Sequence, residues 1–292
     1  MHASSDVDPG AYYLLDRTTK RMEPLLPSRE YLGGQKLAPV QSISYPAADG
    51  KMIPAYLTMS KDGSGKGRPA VVLPHGGPSS RDSWGFDWLA QFLAARGYAV
   101  IQPNYRGSAG YGDDFLGENA FRDWQKAMGD ISASAQYLVA QGIADPNKLA
   151  IVGWSYGGYA ALQSASVEPE KYKAIVAIAP VTDLSMLRRE SDDYVSSKIT
   201  KNFVGSGSQH LQQGSPLQNA SRIKAPTLLV HGDLDVNVRS SHSIKMAGAL
   251  REAGTPVELL RYEQLEHQLD DSDARIEMLT KIGQLLDRTI GK

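Results

Sequence analysis

The chain of 292 residues contains no cysteine. This absence excludes disulfide bonds, thiolate metal ligands and a cysteine nucleophile, and it leaves the redox compartment of the protein undetermined. The sequence also lacks a run of about 18 apolar residues, the length that a membrane-spanning helix needs. Its first ten residues, MHASSDVDPG, have neither the basic start nor the apolar stretch of a secretory signal. We therefore expect a soluble protein. Its compartment is left open, with the cytoplasm favoured.

A strong charge of either sign is missing as well. The 31 basic and 32 acidic residues give a net charge of −1. Nothing in this balance indicates a nucleic-acid partner or a membrane-surface partner. The hydrophobic content of 41% is typical of a globular protein, and a chain of this length can bury a full core in one α/β domain.

Short apolar segments alternate with helical patterns from about residue 70 to the end of the chain. The strand-like segments are 69–74, 98–103, 148–153, 173–180, 226–232 and 257–262. The helical patterns are 84–96, 123–141, 156–167, 240–253 and 273–290. Gly, Pro or charged residues bound each apolar segment, which is typical of strands that are buried on both faces. The alternation predicts an α/β fold, with helices on both faces of a mostly parallel sheet.

Three further segments complete the predicted organisation. Residues 40–59 read as two strands joined around Asp49-Gly50, which brings the sheet to about eight strands, the first pair antiparallel. Residues 61–68, KDGSGKGR, predict a flexible polar loop. Residues 181–225 form a longer excursion between two core strands, and we expect it to cover the sheet edge where α/β proteins bind ligands.

One serine stands between glycines directly after an apolar strand-like segment. The sequence Gly153-Trp154-Ser155-Tyr156-Gly157, placed between a strand and a helix, matches the nucleophile elbow of the α/β-hydrolase fold. Side chains at the two glycine positions would collide with backbone in so tight a turn. The first N–H groups of the following helix point at the same place, where they favour an oxyanion. A glycine-rich turn that merely joins a strand to a helix is the plainer alternative.

A serine hydroxyl needs a base to become a good nucleophile, and the chain has six histidines. In this fold the acid and then the histidine follow the serine in chain order, which excludes His2 and His75. His210 lies in the excursion and His242 inside a predicted helix. His267 lies in the loop after the last strand and is therefore the predicted base.

The acid is expected after the preceding strand, where the sequence TLLVHGDLDVNV offers Asp233 and Asp235. Spacing alone does not choose between these two carboxylates. His231 ends the same strand, and we expect it to order the loop rather than to act in catalysis.

A second oxyanion donor is expected in the loop after the segment 69–74. This loop reads His75-Gly76-Gly77-Pro78. Paired glycines at this position allow backbone N–H groups to approach a substrate oxygen closely.

Several motifs together resemble the catalytic domain of the prolyl oligopeptidase family of serine peptidases, especially its acylaminoacyl-peptidase and dipeptidyl-peptidase branches. They are LPHGGPSSRDSWGFDWLAQFLAARGYAVIQPNYRGSAGYG, GWSYGGYAAL, HGDLDVNV and LEH, and the resemblance runs from about residue 38 to the end. It implies that Ser155 is the nucleophile, Asp235 the acid and His267 the base. It also implies that the backbone N–H groups of Tyr156 and Gly77 form the oxyanion hole.

The resemblance also implies where the substrate binds. The wall of the S1 pocket would come from the residue after the serine and from the segment after AIAP, here Tyr156, Val181, Leu184 and Leu187. The two leucines imply an apolar pocket without a defined surface for stacking a proline. The family usually has glycine after the catalytic histidine, and this chain departs from that pattern at Gln268.

The largest departure from the family lies at the N-terminus, where its members carry a β-propeller. Residues 1–37 predict only a hairpin extension, with strands at 12–15 and 22–25 similar to the last hairpin of a propeller. The catalytic domain is expected at 38–292. A propeller blade needs about four strands, so we expect none here, and the chain is either a truncated peptidase or a reduced enzyme. An apolar wall alone predicts broad specificity with little dependence on a free substrate amino terminus.

These features predict a serine hydrolase that cleaves acyl bonds through an acyl-enzyme, without a metal or cofactor. The resemblance favours a serine peptidase acting on short or acylated peptides. A carboxylesterase acting on short-chain esters is the alternative, because the chemistry is shared. A binding protein without catalysis is disfavoured by the intact Ser, Asp and His set, and a dehalogenase by the serine at the elbow. The expected partner is a peptide or ester substrate, and a homo-oligomer is left open.

Overall fold

The computed structural model describes residues 1–60, 66–117 and 121–291. The strands in these ranges are β1 (His2–Ala3), β2 (Ala11–Asp16), β3 (Arg21–Pro27), β4 (Val40–Pro46), β5 (Met52–Thr58), β6 (Arg68–Val72), β7 (Ala99–Pro103), β8 (Ala144–Trp154), β9 (Ala174–Ile178), β10 (Thr227–Gly232) and β11 (Val257–Tyr262). The helices are α1 (Trp88–Ala95), α2 (Asp113–Leu116), α3 (Trp124–Ala140), α4 (Tyr156–Val167), α5 (Leu184–Glu190), α6 (Ser197–Val204), α7 (Ser208–Gln213), α8 (Ser241–Glu252) and α9 (Ser272–Thr289). Of the predicted loop at 61–68, residues 61–65 lie outside the described ranges.

Eight strands form one sheet in the order β11-β10-β9-β8-β6-β7-β5-β4. The neighbours from β11 to β7 pair in parallel, whereas β5 pairs antiparallel with both β7 and β4. The predicted α/β fold with about eight strands is therefore confirmed, and so is its antiparallel first pair.

The central strands are buried on both faces because helices cover each side of the sheet. In β9, Ile175 and Ala177 face one core, and Val176 and Ile178 face the other, as the pleat of a strand requires. Residues of α3, α4 and α8 contribute to the first core, and residues of α1 and α9 to the second. This double burial explains why the strands read as continuous apolar runs rather than as alternating ones.

Helix α1 begins four residues later than the helical pattern predicted. The side chain of Asp87 accepts a hydrogen bond from the backbone N–H of Ala90 at 2.7 Å and so caps the helix at Trp88. The residues before Asp87 belong to the loop that follows β6. None of the helices within the described ranges is both long enough and apolar enough to cross a membrane.

The excursion at 181–225 folds into α5, α6, α7 and a final 3-10 turn at Pro216–Arg222. It leaves the sheet at the carboxyl end of β9 and returns at the start of β10. The N-terminal segment forms a separate sheet of three strands in the order β1-β2-β3, one strand more than the predicted hairpin. A hydrogen bond of 2.9 Å from the backbone N–H of Val40 to Asp6 Oδ2 ties this segment to the larger sheet.

Candidate active site

Five parallel strands end at the same edge of the sheet, and the segment after each one carries a predicted site residue. Gly77 follows β6, Ser155 follows β8, Val181 follows β9, Asp235 follows β10 and His267 follows β11. The carboxyl ends of parallel strands are where open α/β sheets bind ligands. The topology alone therefore gathers residues that lie up to 190 positions apart, from Gly77 to His267.

A cavity of about 610 Å³ opens at this edge, and we call it the catalytic cavity. The predicted site residues on its wall are Gly77, Ser155, Tyr156, Val181, Leu187 and His267. The wall also includes Gly76, Phe121, Trp154, Thr200, Phe203, Asn237, Val238 and Gln268. Leu187, Thr200 and Phe203 belong to the excursion, which therefore lies against this cavity as expected.

Leu184 is not on this wall, although the resemblance implied it. Its side chain is fully buried in the core. Its backbone N–H donates to Ser215 Oγ at 2.8 Å, and Asp183 caps the first turn of α5 by accepting from the N–H of Met186. These contacts hold the start of α5 beneath the segment around Ser215, so that Leu187, one turn later, reaches the cavity instead.

Ser155 occupies a strained turn between β8 and α4. Its backbone angles are φ 59° and ψ −118°, a combination that costs free energy for a residue with a side chain. A Cβ atom on Gly153 would overlap the carbonyl of Gly157, and one on Gly157 would overlap the carbonyl of Pro74. The backbone N–H of Ser155 donates to the carbonyl of Ile178 at 2.7 Å, which holds the turn against β9. The serine thus stands at a strand-to-helix turn that only this glycine pattern permits.

Asp235 and His267 form a direct hydrogen bond. His267 Nδ1 lies 2.6 Å from Asp235 Oδ2, and both side chains are buried. The other carboxylate oxygen of Asp235 accepts from the backbone N–H groups of Asn237 at 2.8 Å and Val238 at 2.9 Å. Burial opposes ionisation of Asp235, but the hydrogen bonds from His231, His267 and Val238 outweigh it and hold the pKa of this carboxyl well below its usual range. Asp235 is therefore an anion that fixes the orientation of the imidazole.

Asp233, the other carboxylate that spacing allowed, points away from His267. Its two oxygens accept from Arg261 Nε at 3.0 Å and from Arg261 Nη2 at 2.8 Å. The geometry thus separates two carboxylates that spacing could not distinguish.

His231 is fully buried beneath the same loop. Its Nε2 donates to the carbonyl of Val238 at 2.8 Å and lies 3.3 Å from Asp235 Oδ2, while its Nδ1 contacts Ser243 Oγ at 2.7 Å. The ring has no place on the cavity wall, and its contacts tie β10 to the loop that carries Asp235. This agrees with the ordering role expected from the sequence.

The loop that carries His267 is held by side chains that the sequence did not reveal. Trp154 Nε1 donates to the carbonyl of His267 at 3.0 Å. Arg275 donates to the next two carbonyls, from Nη2 to Gln268 and from Nε to Leu269, each at 3.0 Å. We call these three hydrogen bonds the loop clamp. The clamp fixes the chain at Gln268, where the family pattern expects glycine, and Leu269 takes the positive φ of 49° instead.

The loop after β6 lies directly against the serine turn. A Cβ atom on Gly76 would approach the carbonyl of Trp154 to 3.2 Å and Ser155 Cβ to 3.5 Å. Gly77 has φ 122°, and a Cβ there would come within 2.8 Å of the N atom of Ser80. Glycine is therefore required at Gly77 by backbone angle and close approach, whereas a side chain at Gly76 would need the serine turn to shift by a few tenths of an ångström.

His75, at the start of this loop, is buried and stacks on Tyr105 with ring centroids 4.4 Å apart. Burial lowers the pKa of His75 to about 4. The imidazole is therefore neutral at physiological pH and acts as a packing and hydrogen-bonding group below the loop.

Aromatic rings line the apolar side of the catalytic cavity. Phe121 meets Tyr156 edge-on with centroids 4.8 Å apart, and it meets Phe203 at 5.8 Å. Tyr156 stacks in turn on Tyr105 at 5.6 Å. Leucines in the segment after AIAP had suggested a wall without a stacking surface, and the rings of Phe121 and Phe203 reach the same wall from other elements. No local sequence signal marks either residue as part of the wall.

Comparisons with known proteins agree with this fold. A sequence model described as the prolyl oligopeptidase family matches residues 84–292. The dipeptidyl aminopeptidase BIII of Pseudoxanthomonas mexicana is 32% identical over 273 residues, which cover 89% of this chain and 40% of the relative. The acylamino-acid-releasing enzyme of Arabidopsis thaliana is 29% identical over 245 residues, which cover 80% of this chain and 32% of the relative.

Solved structures of similar fold include an acylaminoacyl peptidase of Pyrococcus horikoshii, with a TM-score of 0.86, 21% identity and coverage of 100% of this chain and 48% of that one. A puromycin-hydrolyzing peptidase of Mycobacterium tuberculosis has a TM-score of 0.85 and 28% identity, and the match covers 99% of this chain and 45% of that one. The chain spans less than half the length of the relatives it matches. With the family model covering most of its length, the chain belongs to the prolyl oligopeptidase family.

Proposed function

We propose that this chain carries the catalytic machinery of a serine peptidase that cleaves short or acylated peptides through an acyl-enzyme. The observation that carries the proposal is the 2.6 Å hydrogen bond between His267 and Asp235, with Ser155 raised at a strained turn on the wall of the same cavity. The names of the relatives, which include a dipeptidyl aminopeptidase and acylamino-acid-releasing enzymes, support a peptide as the substrate.

The first half of the reaction forms the acyl-enzyme. Ser155 Oγ attacks the scissile carbonyl while His267 Nε2 takes the hydroxyl proton, and Asp235 stabilises the imidazolium that results. The backbone N–H groups of Tyr156 and Gly77 would stabilise the oxyanion of the tetrahedral intermediate. His267 then gives its proton to the leaving amine as the carbon–nitrogen bond breaks.

The second half releases the acid. A water molecule attacks the ester on Ser155, and His267 Nε2 now takes the proton from that water. Collapse of the second intermediate returns the proton to Ser155 Oγ and frees the carboxylic acid.

Substrate selection is assigned to the apolar wall of Tyr156, Val181 and Leu187, together with the rings of Phe121 and Phe203. Such a wall discriminates weakly, by about 1–3 kcal/mol per methylene, so the acyl preference should be broad among apolar side chains. We assign residues 38–292 to the catalytic domain, and residues 1–37 to an extension whose small sheet is separate from the catalytic one.

Labelling with a fluorophosphonate tests the proposal, because the reagent reacts with activated serines. Intact-mass and peptide mass spectrometry should find one adduct, at Ser155. Ser155→Ala should abolish both labelling and hydrolysis of aminoacyl and acylaminoacyl p-nitroanilides. Ser83→Ala, at an exposed serine outside the cavity wall, is the matched control and should change neither. An adduct at another residue, or full activity of Ser155→Ala, would reject the assignment.

A further inference from the structure

A smaller cavity of about 220 Å³ adjoins the catalytic cavity, and Leu187, Thr200 and Asn237 line both of them. Glu190 lines only the smaller one, which we call the Glu190 pocket. We propose that the Glu190 pocket binds the ammonium group of a peptide substrate while the acyl group to be transferred lies in the catalytic cavity. The proposal rests on the peptidase function inferred above and adds a charged determinant of specificity to it.

The carboxylate of Glu190 is held in place with acceptor positions left open. It ends α5, and its side chain is 18% exposed. Its Oε1 accepts from Ser241 Oγ at 3.2 Å, and its Oε2 lies 3.3 Å from His242 Nε2. A carboxylate has about four acceptor positions, so at least two are free to face a ligand.

His242 orients the carboxylate of Glu190. The ring is fully buried, and its Nδ1 accepts from the backbone N–H of Thr182 at 3.0 Å. Because a backbone N–H can only donate, Nδ1 is the acceptor in this contact, and the N–H of the ring that faces Glu190 is at Nε2. Among the described residues this N–H has no well-aligned acceptor, and Glu190 Oε2 is the oxygen it faces.

Glu190 is ionised although most of its side chain is buried. Burial alone would raise its pKa, but the neighbouring His242, the hydroxyl of Ser241 and the positive charge of Arg239 outweigh that effect and hold the pKa of this carboxyl below its usual range. An anion in a narrow pocket beside the substrate cavity is suited to a cation.

The basic side chain on the wall of the pocket already has an acidic partner. Arg239 lines the pocket but pairs with Asp193, and Lys201 of α6 pairs with Asp192. Among the described residues, Glu190 forms no ion pair with lysine or arginine. The local balance in the pocket is therefore negative, and it complements an ammonium group.

Two parts of a peptide can supply an ammonium group next to the reacting carbonyl. One is the α-ammonium of a free amino terminus, and the other is the end of a lysine side chain. An anchor of this kind would make the enzyme favour charged substrates, contrary to the expectation from the apolar wall alone.

Matched p-nitroanilides test the proposal and distinguish the two sources. Alanyl-leucyl, N-acetyl-alanyl-leucyl and N-acetyl-lysyl-leucyl p-nitroanilide share one leaving group and one acyl residue. For the native chain we expect kcat/KM to be about 10–100-fold higher for a charged substrate than for N-acetyl-alanyl-leucyl p-nitroanilide, the size of one charge-assisted hydrogen bond. A preference for the first substrate identifies the amino terminus as the source, and a preference for the third identifies lysine. The ratio should fall as salt is added.

Glu190→Gln keeps the shape of the side chain and should bring the ratio close to one while leaving N-acetyl-alanyl-leucyl p-nitroanilide unaffected. Glu252→Gln removes an exposed carboxylate at the end of α8, away from the walls of both cavities, and should leave the ratio unchanged. Equal loss on all three substrates in Glu190→Gln would show a structural role only and overturn the proposal. A ratio of kcat/KM values near one in the native chain would also overturn the proposal. This measurement does not depend on the folding of any variant. Fluorophosphonate labelling of Ser155 reports separately on the peptidase chemistry, so a failed anchor and a failed peptidase assignment are distinguishable.

Discussion

Replacing Asp235 by asparagine should disable the base while changing almost nothing in shape. One oxygen of Asp235 accepts from two backbone N–H groups, and the other accepts from His267 Nδ1. An asparagine side chain has only one oxygen. This oxygen must accept from the two backbone N–H groups, because an amide NH₂ in that position would place donor against donor. The NH₂ would then face His267 Nδ1. The imidazole could only accept at Nδ1, and its proton would move to Nε2, where it blocks proton transfer from Ser155.

The magnitude follows from this wrong tautomer. We expect Asp235→Asn to lower kcat by about 10³–10⁴, the loss typical of a triad whose histidine is misprotonated. At about 1.4 kcal/mol per factor of ten, that is roughly 4–5.5 kcal/mol of transition-state stabilisation. Asp233→Asn is the matched control two residues earlier. It breaks a partly exposed pair with Arg261, worth at most about 1 kcal/mol, and should leave kcat within a few-fold.

The assay is steady-state hydrolysis of an acylaminoacyl p-nitroanilide by the native chain and both variants, with thermal unfolding to establish that each is folded. The rate of fluorophosphonate labelling should fall in parallel with kcat in Asp235→Asn. A variant that keeps more than a tenth of the native kcat would refute the tautomer reasoning. A larger loss in Asp233→Asn than in Asp235→Asn would mean that the acid is two residues away from its assigned place.

Two further predictions concern the loops on either side of the triad. Trp154→Phe keeps an aromatic ring but removes the N–H that donates to His267, so we expect kcat to fall about 5-fold, the size of one hydrogen bond of about 1 kcal/mol, with KM nearly unchanged. Unchanged kcat would show that the loop clamp does not position the base. Burial lowers the pKa of His75 to about 4 from about 6.5 in the unfolded chain, so the unfolded state binds the extra proton first. Proton binding at His75 therefore leaves the free energy of unfolding unchanged above pH 6.5. It lowers that free energy as the pH falls towards 4, by about 3 kcal/mol in total. Urea unfolding should show a shallower fall over that window for His75→Gln than for the native chain, and equal slopes would contradict the assignment.

The fold class and the assignment of Ser155 as nucleophile were predictable because short stretches of sequence determine both. Strands such as β9 are short apolar runs, and the elbow needs its glycines within a few residues of Ser155, where a single tight turn imposes them. The order of acid and histidine along the chain then excluded His2 and His75, and the place of His267 in the loop after the last strand made it the predicted base. These features depend on neighbours in sequence, which is why pattern and spacing identified them.

The remaining features depend on contacts between distant elements. Asp233 and Asp235 share one turn, and only the positions of Arg261 and His267 decide which carboxylate faces the imidazole. Leu184 lies in the core rather than on the cavity wall, at the start of α5, where its backbone N–H contacts Ser215.

The loop clamp, the aromatic wall and the Glu190 pocket were missed for the same reason. Trp154 lies 113 positions from His267, and Glu190 lies 51 positions from Ser241. No period or motif in the sequence joins such residues.

The loop clamp also has a consequence for biosynthesis. It joins Trp154 at the end of β8 to the loop after β11, and its other donor, Arg275, lies in the final helix α9. A chain is made from its N-terminus, so the serine turn can exist long before the histidine loop has anything to hold it. The nucleophile of a nascent chain therefore has no base held in position until the loop after β11 and helix α9 have been made.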